Sequence, residues 1–268
     1  MSHDCNVFIL RTAGTNCDNE MAAAFRKAGA QTEQIHVNRW LKDKKMVHKY
    51  DIFAIPGGFS YGDDLGAGTV LANQIKQHLL DELLKFVDDG KLIIGICNGF
   101  QVLVKTGLLP RLDPSQDKQS YEQEVTLADN DSAKYEDRWV YMKNYSKKCV
   151  FTKGLAKSLY YLPVAHGEGK LIPRDKAILK KLIANDQVVF RYTDVKGKPT
   201  MRYPANPNGA IDSIAGICDT TGRVLGLMPH PERFLDFTNH PRWTREKIQE
   251  PTDGMMIFLN AVNYINNR

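Results

Sequence analysis

The chain has 268 residues, of which 43% are hydrophobic, and its 36 basic and 31 acidic residues leave a formal net charge of only +5. This composition supports a full hydrophobic core, but no stretch concentrates the positive charge into the basic stripe that is typical of nucleic-acid-binding proteins. No apolar run approaches the roughly 18 residues that a membrane span requires, so neither nucleic acid nor a membrane is an expected partner.

Strand-like and helix-like segments alternate through the first half of the chain. The predicted strands are apolar runs, and the predicted helices are Ala-rich or amphipathic and end at or near glycines. The strands cover residues 6–10, 32–37, 51–58 and 91–97, and the helices cover residues 18–30, 71–90 and 98–107. This β-α-β-α order indicates an α/β fold with an open, mostly parallel sheet and helices on both faces.

The second half of the chain contains a series of shorter strand candidates. Polar loops are predicted at residues 112–123 and 198–210. The segment Asp219–Gly222 predicts a hairpin turn between the last two candidates. The candidates cover residues 124–128, 138–144, 159–165, 187–193, 213–219 and 223–229, and a final helix is predicted at residues 253–268. We expect an antiparallel strand addition to the parallel sheet, within a single domain of residues 1–268.

The cysteines indicate a reducing compartment. They are odd in number, widely spaced and never arranged as CxxC, which argues against a disulfide framework and against a zinc site. The apolar stretch at residues 6–10 is too short for the hydrophobic region of a secretory signal peptide. We therefore expect a cytoplasmic protein. The five cysteines are Cys5, Cys17, Cys97, Cys149 and Cys218.

One of these cysteines lies where an apolar strand gives way to a helical pattern. The segment Gly95-Ile96-Cys97-Asn98-Gly99 has the glycine spacing of a strand-to-helix elbow that presents a nucleophile. Glycines allow the close backbone approach that such a turn requires, and the free N–H groups at the start of the following helix favour a thiolate. A buried structural cysteine is the alternative, but the elbow spacing favours a nucleophilic Cys97.

Two segments could supply the base that a cysteine nucleophile needs. His166 precedes Glu168, and His230 precedes Glu232, in each case by two residues. In an extended stretch this spacing places both side chains on one side, where the carboxylate can orient the imidazole and stabilise its charged form. Spacing alone does not choose between the two pairs. The context favours His230, because it follows a predicted strand directly and two prolines stiffen its turn.

Backbone donors for an oxyanion are expected after the strand at residues 51–58. The Gly57-Gly58 turn can direct bare N–H groups towards the end of a neighbouring strand. The chain contains no G-x-x-x-x-G-K-[ST] loop and no dinucleotide-binding fingerprint. We therefore expect no ATP site, no other cofactor and no metal on this chain.

With these segments the chain resembles the glutaminase subunits of phosphoribosylformylglycinamidine synthase, which are triad-type (class I) glutamine amidotransferases. The G-x-C-x-G-x-Q element at the elbow is shared by the wider superfamily, whereas GGFSYGDD and AHGEG are narrower signatures. The matching segments keep the family's order and span residues 11–233: RTAGTNCD, PGGFSYGDDL, GICNGFQ, VAHGEGK and MPHPER. The resemblance implies the flavodoxin-like fold of that family.

The resemblance implies a catalytic triad. Cys97 would attack the side-chain amide of L-glutamine and form a glutamyl thioester. His230 would take the thiol proton and protonate the leaving ammonia, while Glu232 orients the imidazole. Water would then release glutamate.

The resemblance also implies contacts around the triad. The backbone N–H groups of Gly58 and Asn98 would hold the oxyanion, and Gln101 would contact the bound glutamine. The pair His166 and Glu168 is not the triad in this family, and it would lie at the rim near a partner or the ammonia exit.

The ammonia is expected to pass to a synthetase partner. In the family that the chain resembles, this partner uses ATP and Mg to convert formylglycinamide ribonucleotide to formylglycinamidine ribonucleotide in de novo purine biosynthesis. A small bridging subunit could belong to the same complex. Asp63 and Asp64 could be interfacial, or they could be solvated carboxylates of a loop.

Two other interpretations remain open from the sequence. The first is a peptidase-like or chaperone-like α/β protein that uses the same cysteine elbow but lacks a glutamine pocket. The second is a non-catalytic scaffold subunit that binds and positions a synthetase. The complete set of Cys97, His230 and Glu232 argues against the second.

Overall fold

The structure is a computed structural model, and it describes residues 4–113, 123–155 and 159–268. Most of the polar loop predicted at residues 112–123 therefore lies outside the described residues. In the part of the chain that is described, no helix is both long and apolar enough to cross a membrane.

Eleven strands and seven α-helices are present in these described ranges. The strands are β1 (Asn6–Arg11), β2 (Gln31–His36), β3 (Ile52–Ile55), β4 (Leu92–Ile96), β5 (Val125–Asp129), β6 (Glu136–Asn144), β7 (Tyr160–His166), β8 (Glu168–Pro173), β9 (Val188–Thr193), β10 (Ile214–Cys218) and β11 (Val224–Leu227). The helices are α1 (Asp18–Lys27), α2 (Val37–Lys42), α3 (Thr69–His78), α4 (Leu80–Asp88), α5 (Asn98–Thr106), α6 (Lys176–Ala184) and α7 (Asp253–Asn266). Every predicted strand is present, with its bounds shifted by a few residues at most.

Nine strands form one continuous sheet in the order β2-β1-β3-β4-β11-β10-β9-β6-β7, and β5 pairs with β8 separately. The first five strands of this order run parallel to one another. From β11 onwards each strand is antiparallel to the next. The predicted parallel sheet with an antiparallel addition is thus confirmed, and β11 is the strand at which the two parts meet.

The central strands are buried because helices cover the sheet. All residues of β3 and β4 are buried, as expected of parallel strands that are covered on both faces. Helix α1 packs against α7, where the rings of Phe25 and Phe258 lie 5.0 Å apart at an interplanar angle of 82°. Helices α3 and α5 also pack against each other. The carboxyl ends of β3, β4 and β11 therefore lie side by side on a rigid core, which is where open α/β sheets bind their ligands.

The predicted long helix at residues 71–90 is wrong. The structure divides this segment into α3 and α4 at Leu79, which has φ −131° and ψ −8° and is buried. An amphipathic pattern that continues across a break cannot reveal it, because both helices present their apolar residues to the same core.

Three further elements are absent from the sequence-based assignment: α2, β8 and α6. Strand β8 begins directly after the His166 region and pairs with β5. Helix α6 begins after Asp175, whose side chain accepts hydrogen bonds from the backbone N–H groups of Ala177 and Ile178. An aspartate in this position is an N-cap, and its signal was available in the sequence. The predicted hairpin turn is confirmed, since β10 and β11 are antiparallel and Gly222 N–H donates to the Asp219 carbonyl at 3.1 Å.

Candidate active site

A strained elbow presents Cys97 at the carboxyl end of β4. Cys97 has φ 51° and ψ −106°, and helix α5 begins at the next residue. A Cβ on Gly99 would lie 2.0 Å from the Ile55 carbonyl oxygen, and one on Gly95 would lie 2.5 Å from the Gly99 carbonyl oxygen. Both flanking positions therefore require glycine, because backbone atoms of the elbow and of β3 occupy the space that a Cβ would need.

The Cys97 sulfur borders a cavity of about 230 Å³. Its thiol is oriented to donate to the Ala165 carbonyl oxygen, 3.6 Å away, at the end of β7. The side chain is only 5% exposed, but the atoms around the cavity are mixed in polarity and the sulfur is not sealed in hydrocarbon. The cavity is lined by Gly58, Phe59, Asp63, Ala67, Cys97, Gln101, Asp129, Tyr135, Ala165, His166, Gly167 and Glu168.

His230 comes from the strand next to β4. Leu227 of β11 pairs with Ile96 of β4, so the residues that follow the two strands emerge side by side. The backbone N–H of His230 donates to the Pro163 carbonyl at 2.8 Å, which fixes the turn after β11. Its Nδ1 lies 2.6 Å from Glu232 Oε1, and both side chains are almost completely buried.

The environment of His230 favours the charged imidazolium. Burial opposes this charge, but the charges of Glu232 and Cys97 outweigh it and hold the pKa of His230 well above its usual value. Its Nε2 makes no hydrogen bond to any described residue. The carboxylate on Nδ1 therefore leaves Nε2 as the atom that can exchange a proton with the sulfur and with a substrate.

Two of the three residues predicted to bind the substrate, Gly58 and Gln101, line the same cavity, and the third, Asn98, directly follows Cys97. Gly58 ends the turn after β3, and Asn98 is the first residue of α5, where backbone N–H groups have no partner within the helix. Gln101 lies one turn further along α5, is buried, and donates from Nε2 to the Glu168 carbonyl oxygen at 2.5 Å. The structure thus brings Gly58, Asn98 and Gln101 together with the Cys97 elbow.

His166 is buried and lines the cavity together with Glu168, while the expected position of this pair near a partner or the ammonia exit stays a prediction. His166 is 2% exposed, and its Nδ1 lies 3.1 Å from Asn130 Oδ1. The Asn130 amide nitrogen already donates to the carbonyls of Lys134 and His166, so its oxygen must accept from His166 Nδ1. Burial, together with the nearby charge of His230, lowers the pKa of His166 to about 3. His166 is therefore a neutral residue that supports the end of β7.

Comparison with known proteins agrees with this geometry. Residues 4–265 match the family model of a CobB/CobQ-like glutamine amidotransferase domain. Phosphoribosylformylglycinamidine synthase subunit PurQ of Dehalococcoides mccartyi is 50% identical over 257 residues, which cover 96% of this chain and 96% of the relative.

The chain belongs to the PurQ family.

Other PurQ proteins and a solved structure support the same assignment. The PurQ subunit of Methanococcus maripaludis is 44% identical over 272 residues, covering 97% of each chain. A chain in the structure of PurLQS from Thermotoga maritima superposes with a TM-score of 0.72 at 29% identity, covering 98% of this chain and 100% of that one. The predicted resemblance and the class I glutamine amidotransferase fold are confirmed, and the peptidase-like and scaffold interpretations are not favoured.

Two residues near the site of this PurQ-family chain have more contacts than the sequence suggested. Asp63, expected at an interface or in solvent, lines the cavity and accepts a hydrogen bond from Asn98 Nδ2 at 3.2 Å. Cys17, in the RTAGTNCD segment, is fully buried, and Arg233 Nη2 donates to its sulfur at 3.1 Å. The available signal was that both residues lie in segments specific to the family, next to glycine turns.

One group of side chains in the described ranges brings possible metal ligands together. Ligand atoms of Cys17, His230 and Glu232 all lie within 4.8 Å of one another. Each of these residues already has a contact in the PurQ-family site: His230 with Glu232, and Cys17 with Arg233. These contacts account for the proximity of the three side chains.

Proposed function

We propose that this PurQ-family chain hydrolyses L-glutamine to glutamate and ammonia through a thioester on Cys97. The observation that carries the proposal is that the His230–Glu232 pair follows β11, the strand next to the one that ends at Cys97, while Cys97 itself lines a cavity. A nucleophile, a base and an orienting carboxylate are the elements that acyl transfer from an amide requires.

The first half of the reaction forms the thioester. The Cys97 thiol loses its proton to His230 Nε2, and the thiolate attacks the amide carbon of the glutamine side chain, so that a carbon–sulfur bond forms. The negative charge moves to the amide oxygen, where the backbone N–H groups of Gly58 and Asn98 stabilise it. The carbon–nitrogen bond then breaks, and the imidazolium gives its proton to the leaving ammonia.

The second half of the reaction regenerates the thiol. His230 Nε2 accepts a proton from water, which attacks the thioester carbon; the carbon–sulfur bond then breaks as glutamate forms, and the imidazolium returns its proton to the Cys97 sulfur. Glu232 holds the His230 imidazole in one orientation during both halves of the reaction and stabilises the charged form of this imidazole. Gln101 contacts the bound glutamine from helix α5.

The ammonia serves a synthetase partner. This partner is the formylglycinamidine ribonucleotide synthetase subunit, which converts formylglycinamide ribonucleotide to the amidine in de novo purine biosynthesis, and a small bridging subunit can join the complex. We further propose that ATP and Mg²⁺ act on the partner and that this chain binds neither a nucleotide nor a metal. Stoichiometric binding of ATP to the isolated chain in a calorimetric titration would contradict this division.

Two general properties complete the proposal. Residues 1–268 are proposed to act as one glutamine amidotransferase domain, a view supported by the continuous sheet that strands from both halves of the chain form. A cytoplasmic location is proposed because all five cysteines are free, as a reducing compartment would keep them.

The central test uses the chain mixed with its synthetase. Cys97→Ala is expected to abolish synthesis from glutamine and to leave synthesis from added ammonia intact, because only the nucleophile has been removed. Wild-type chain assayed with both nitrogen sources is the control. Loss of both activities would mean that Cys97 is needed for the structure or assembly, and retention of both would overturn the thioester mechanism.

A further inference from the structure

The side chain of Asn98 is the centre of a hydrogen-bond network beside the elbow. Its Oδ1 accepts from the backbone N–H of Ser60 at 3.2 Å. Its Nδ2 donates to Asp63 Oδ1 at 3.2 Å and to Gln101 Oε1 at 3.0 Å. Because every polar atom of the amide has a partner of the correct kind, the network fixes its orientation.

The partners Ser60 and Asp63 belong to the loop of residues 58–68, which has an unfavourable backbone conformation. Tyr61 and Asp63 are not glycines, yet each has φ 56°, in the left-handed region. Such conformations persist only where surrounding contacts hold them. Asp63 supplies one of these contacts within the loop, because its Oδ1 also accepts from the backbone N–H of Gly68 at 3.1 Å.

The loop and the elbow each carry one of the two proposed oxyanion donors. Gly58 begins the loop, and Asn98 begins helix α5. Phe59, the residue after Gly58, lies against the segment of Gly14. Its backbone N–H donates to the Gly14 carbonyl oxygen at 2.9 Å. Within the described chain, the side-chain hydrogen bonds between residues 58–64 and helix α5 all involve the Asn98 amide. This connection therefore contributes to the spacing of the two donors, together with the pairing of β3 with β4.

We propose that Asp63 is a positioning residue that clamps the loop of residues 58–68 to the Asn98 amide and thereby sets the spacing of the Gly58 and Asn98 backbone donors. The proposal rests on the proposed function, since the two donors matter only if an oxyanion forms between them. It assigns no contact between Asp63 and the substrate.

The geometry also indicates which part of Asp63 is needed. A single oxygen, Oδ1, accepts both the Asn98 and the Gly68 hydrogen bonds. Burial raises the pKa of Asp63 despite these bonds, which means that the surroundings do not stabilise its negative charge overall. An asparagine in this position would keep a carbonyl oxygen as acceptor and would lose only the charge.

The test compares three variants in complex with the synthetase, measuring kcat and KM for glutamine. Asp63→Ala removes both hydrogen bonds, and we expect kcat to fall about 10- to 100-fold with KM changed less than about 3-fold, since losing one oxyanion donor outright costs about 10²- to 10³-fold. Asp63→Asn should remain within about 3-fold of wild type for both constants. Asp64→Ala is the matched control: it removes an exposed carboxylate from the neighbouring position and should change neither constant.

Other outcomes would overturn the proposal. If both Asp63 variants raise KM while kcat is unchanged, the carboxylate binds a positively charged group of the substrate by its charge. If Asp63→Ala leaves both constants unchanged, the clamp has no role. If Asp63→Asn loses as much kcat as Asp63→Ala, the charge and not the acceptor oxygen is required.

Two measurements separate these outcomes from failure of folding or of the proposed function. If Asp63→Ala does not fold, Asn98→Ala tests the same clamp, because it keeps both backbone donors and should show the same loss in kcat alone. Synthesis from added ammonia should be unaffected in every variant, and its loss would indicate damage to assembly. Failure of the proposed function itself would appear as glutamine-dependent activity in Cys97→Ala.

Discussion

Two histidines, each two residues before a glutamate, lie near one cavity, and their surroundings give them opposite charge states. His230 has Glu232 on Nδ1 and the Cys97 sulfur nearby, so its pKa is raised despite burial. His166 has only the neutral amide of Asn130 on Nδ1, and burial lowers its pKa to about 3. A base that must hold a proton between two steps needs the first environment.

Replacing the two histidines should therefore have different consequences. His230→Ala is expected to reduce glutamine hydrolysis by several orders of magnitude, as removal of a triad base does. His166→Ala should reduce thioester formation much less, but it should lower the free energy of unfolding by about 1–3 kcal/mol, because Asn130 Oδ1 loses its buried donor. Rapid-quench measurement of thioester formation and denaturant unfolding check the two expectations. A larger kinetic effect for His166→Ala would reassign the base.

At this scale the sequence could predict the proposed triad but not the contacts of every neighbour. The elbow spacing predicted Cys97 as the nucleophile, and the position of His230 after a strand favoured it over His166 as the base. The identical spacing of the two His-x-Glu pairs could not reveal that Glu168 accepts from the backbone N–H of Ala67 instead of supporting an imidazole. That difference arises because β8 turns away to pair with β5, which is a tertiary feature.

The junction of β4 and α5 is the element that determines where the nucleophile lies. Its two glycines are required by close contacts with neighbouring backbone and not by their own dihedral angles, since neither Gly95 nor Gly99 has positive φ. The positive φ is instead carried by Cys97 itself. The backbone strain is thus concentrated at Cys97. The two glycines leave the space that this conformation of Cys97 requires.

A methyl group at the junction should be poorly tolerated. Gly99→Ala would place its Cβ 2.0 Å from the Ile55 carbonyl oxygen, so the helix must shift. We expect the free energy of unfolding to fall by at least about 2 kcal/mol, more than the ~1 kcal/mol that alanine gains in helix propensity. Gly167→Ala is the control for stability, because its Cβ would meet no atom within 4 Å. Urea denaturation compares the two, and equal stability would contradict the close contact.

The order of elements could be predicted well from the sequence, whereas the breaks between them could not. Buried strands such as β4 are identified by their apolar runs, and glycines mark the ends of helices. The break at Leu79 has no proline or glycine to announce it, and its buried leucine continues the amphipathic pattern. It follows from packing against the rest of the fold, which a local pattern does not record.

Across the whole molecule, the five cysteine thiols differ in their position relative to the cavity. Cys97 borders it, whereas the other four cysteines are at most 1% exposed and do not line it. A glutamine analogue that alkylates thiols should therefore label Cys97 alone in the native chain, as read by peptide mass spectrometry. The same thiols treated with a small alkylating reagent after denaturation provide the control and should all react. Native labelling of Cys17, the thiol beside His230, would show that the cavity is open on that side.

The topology of the sheet has a consequence for a chain that is still being made. Strand β11 occurs late in the sequence, yet it inserts at the centre of the sheet between β4 and β10. A ribosome delivers the elbow cysteine well before this strand and the imidazole behind it. An unfinished or C-terminally truncated chain therefore carries a thiol without its proton acceptor. Because the proposed triad needs residues that follow the final strand, we expect an unfinished chain to leave glutamine intact.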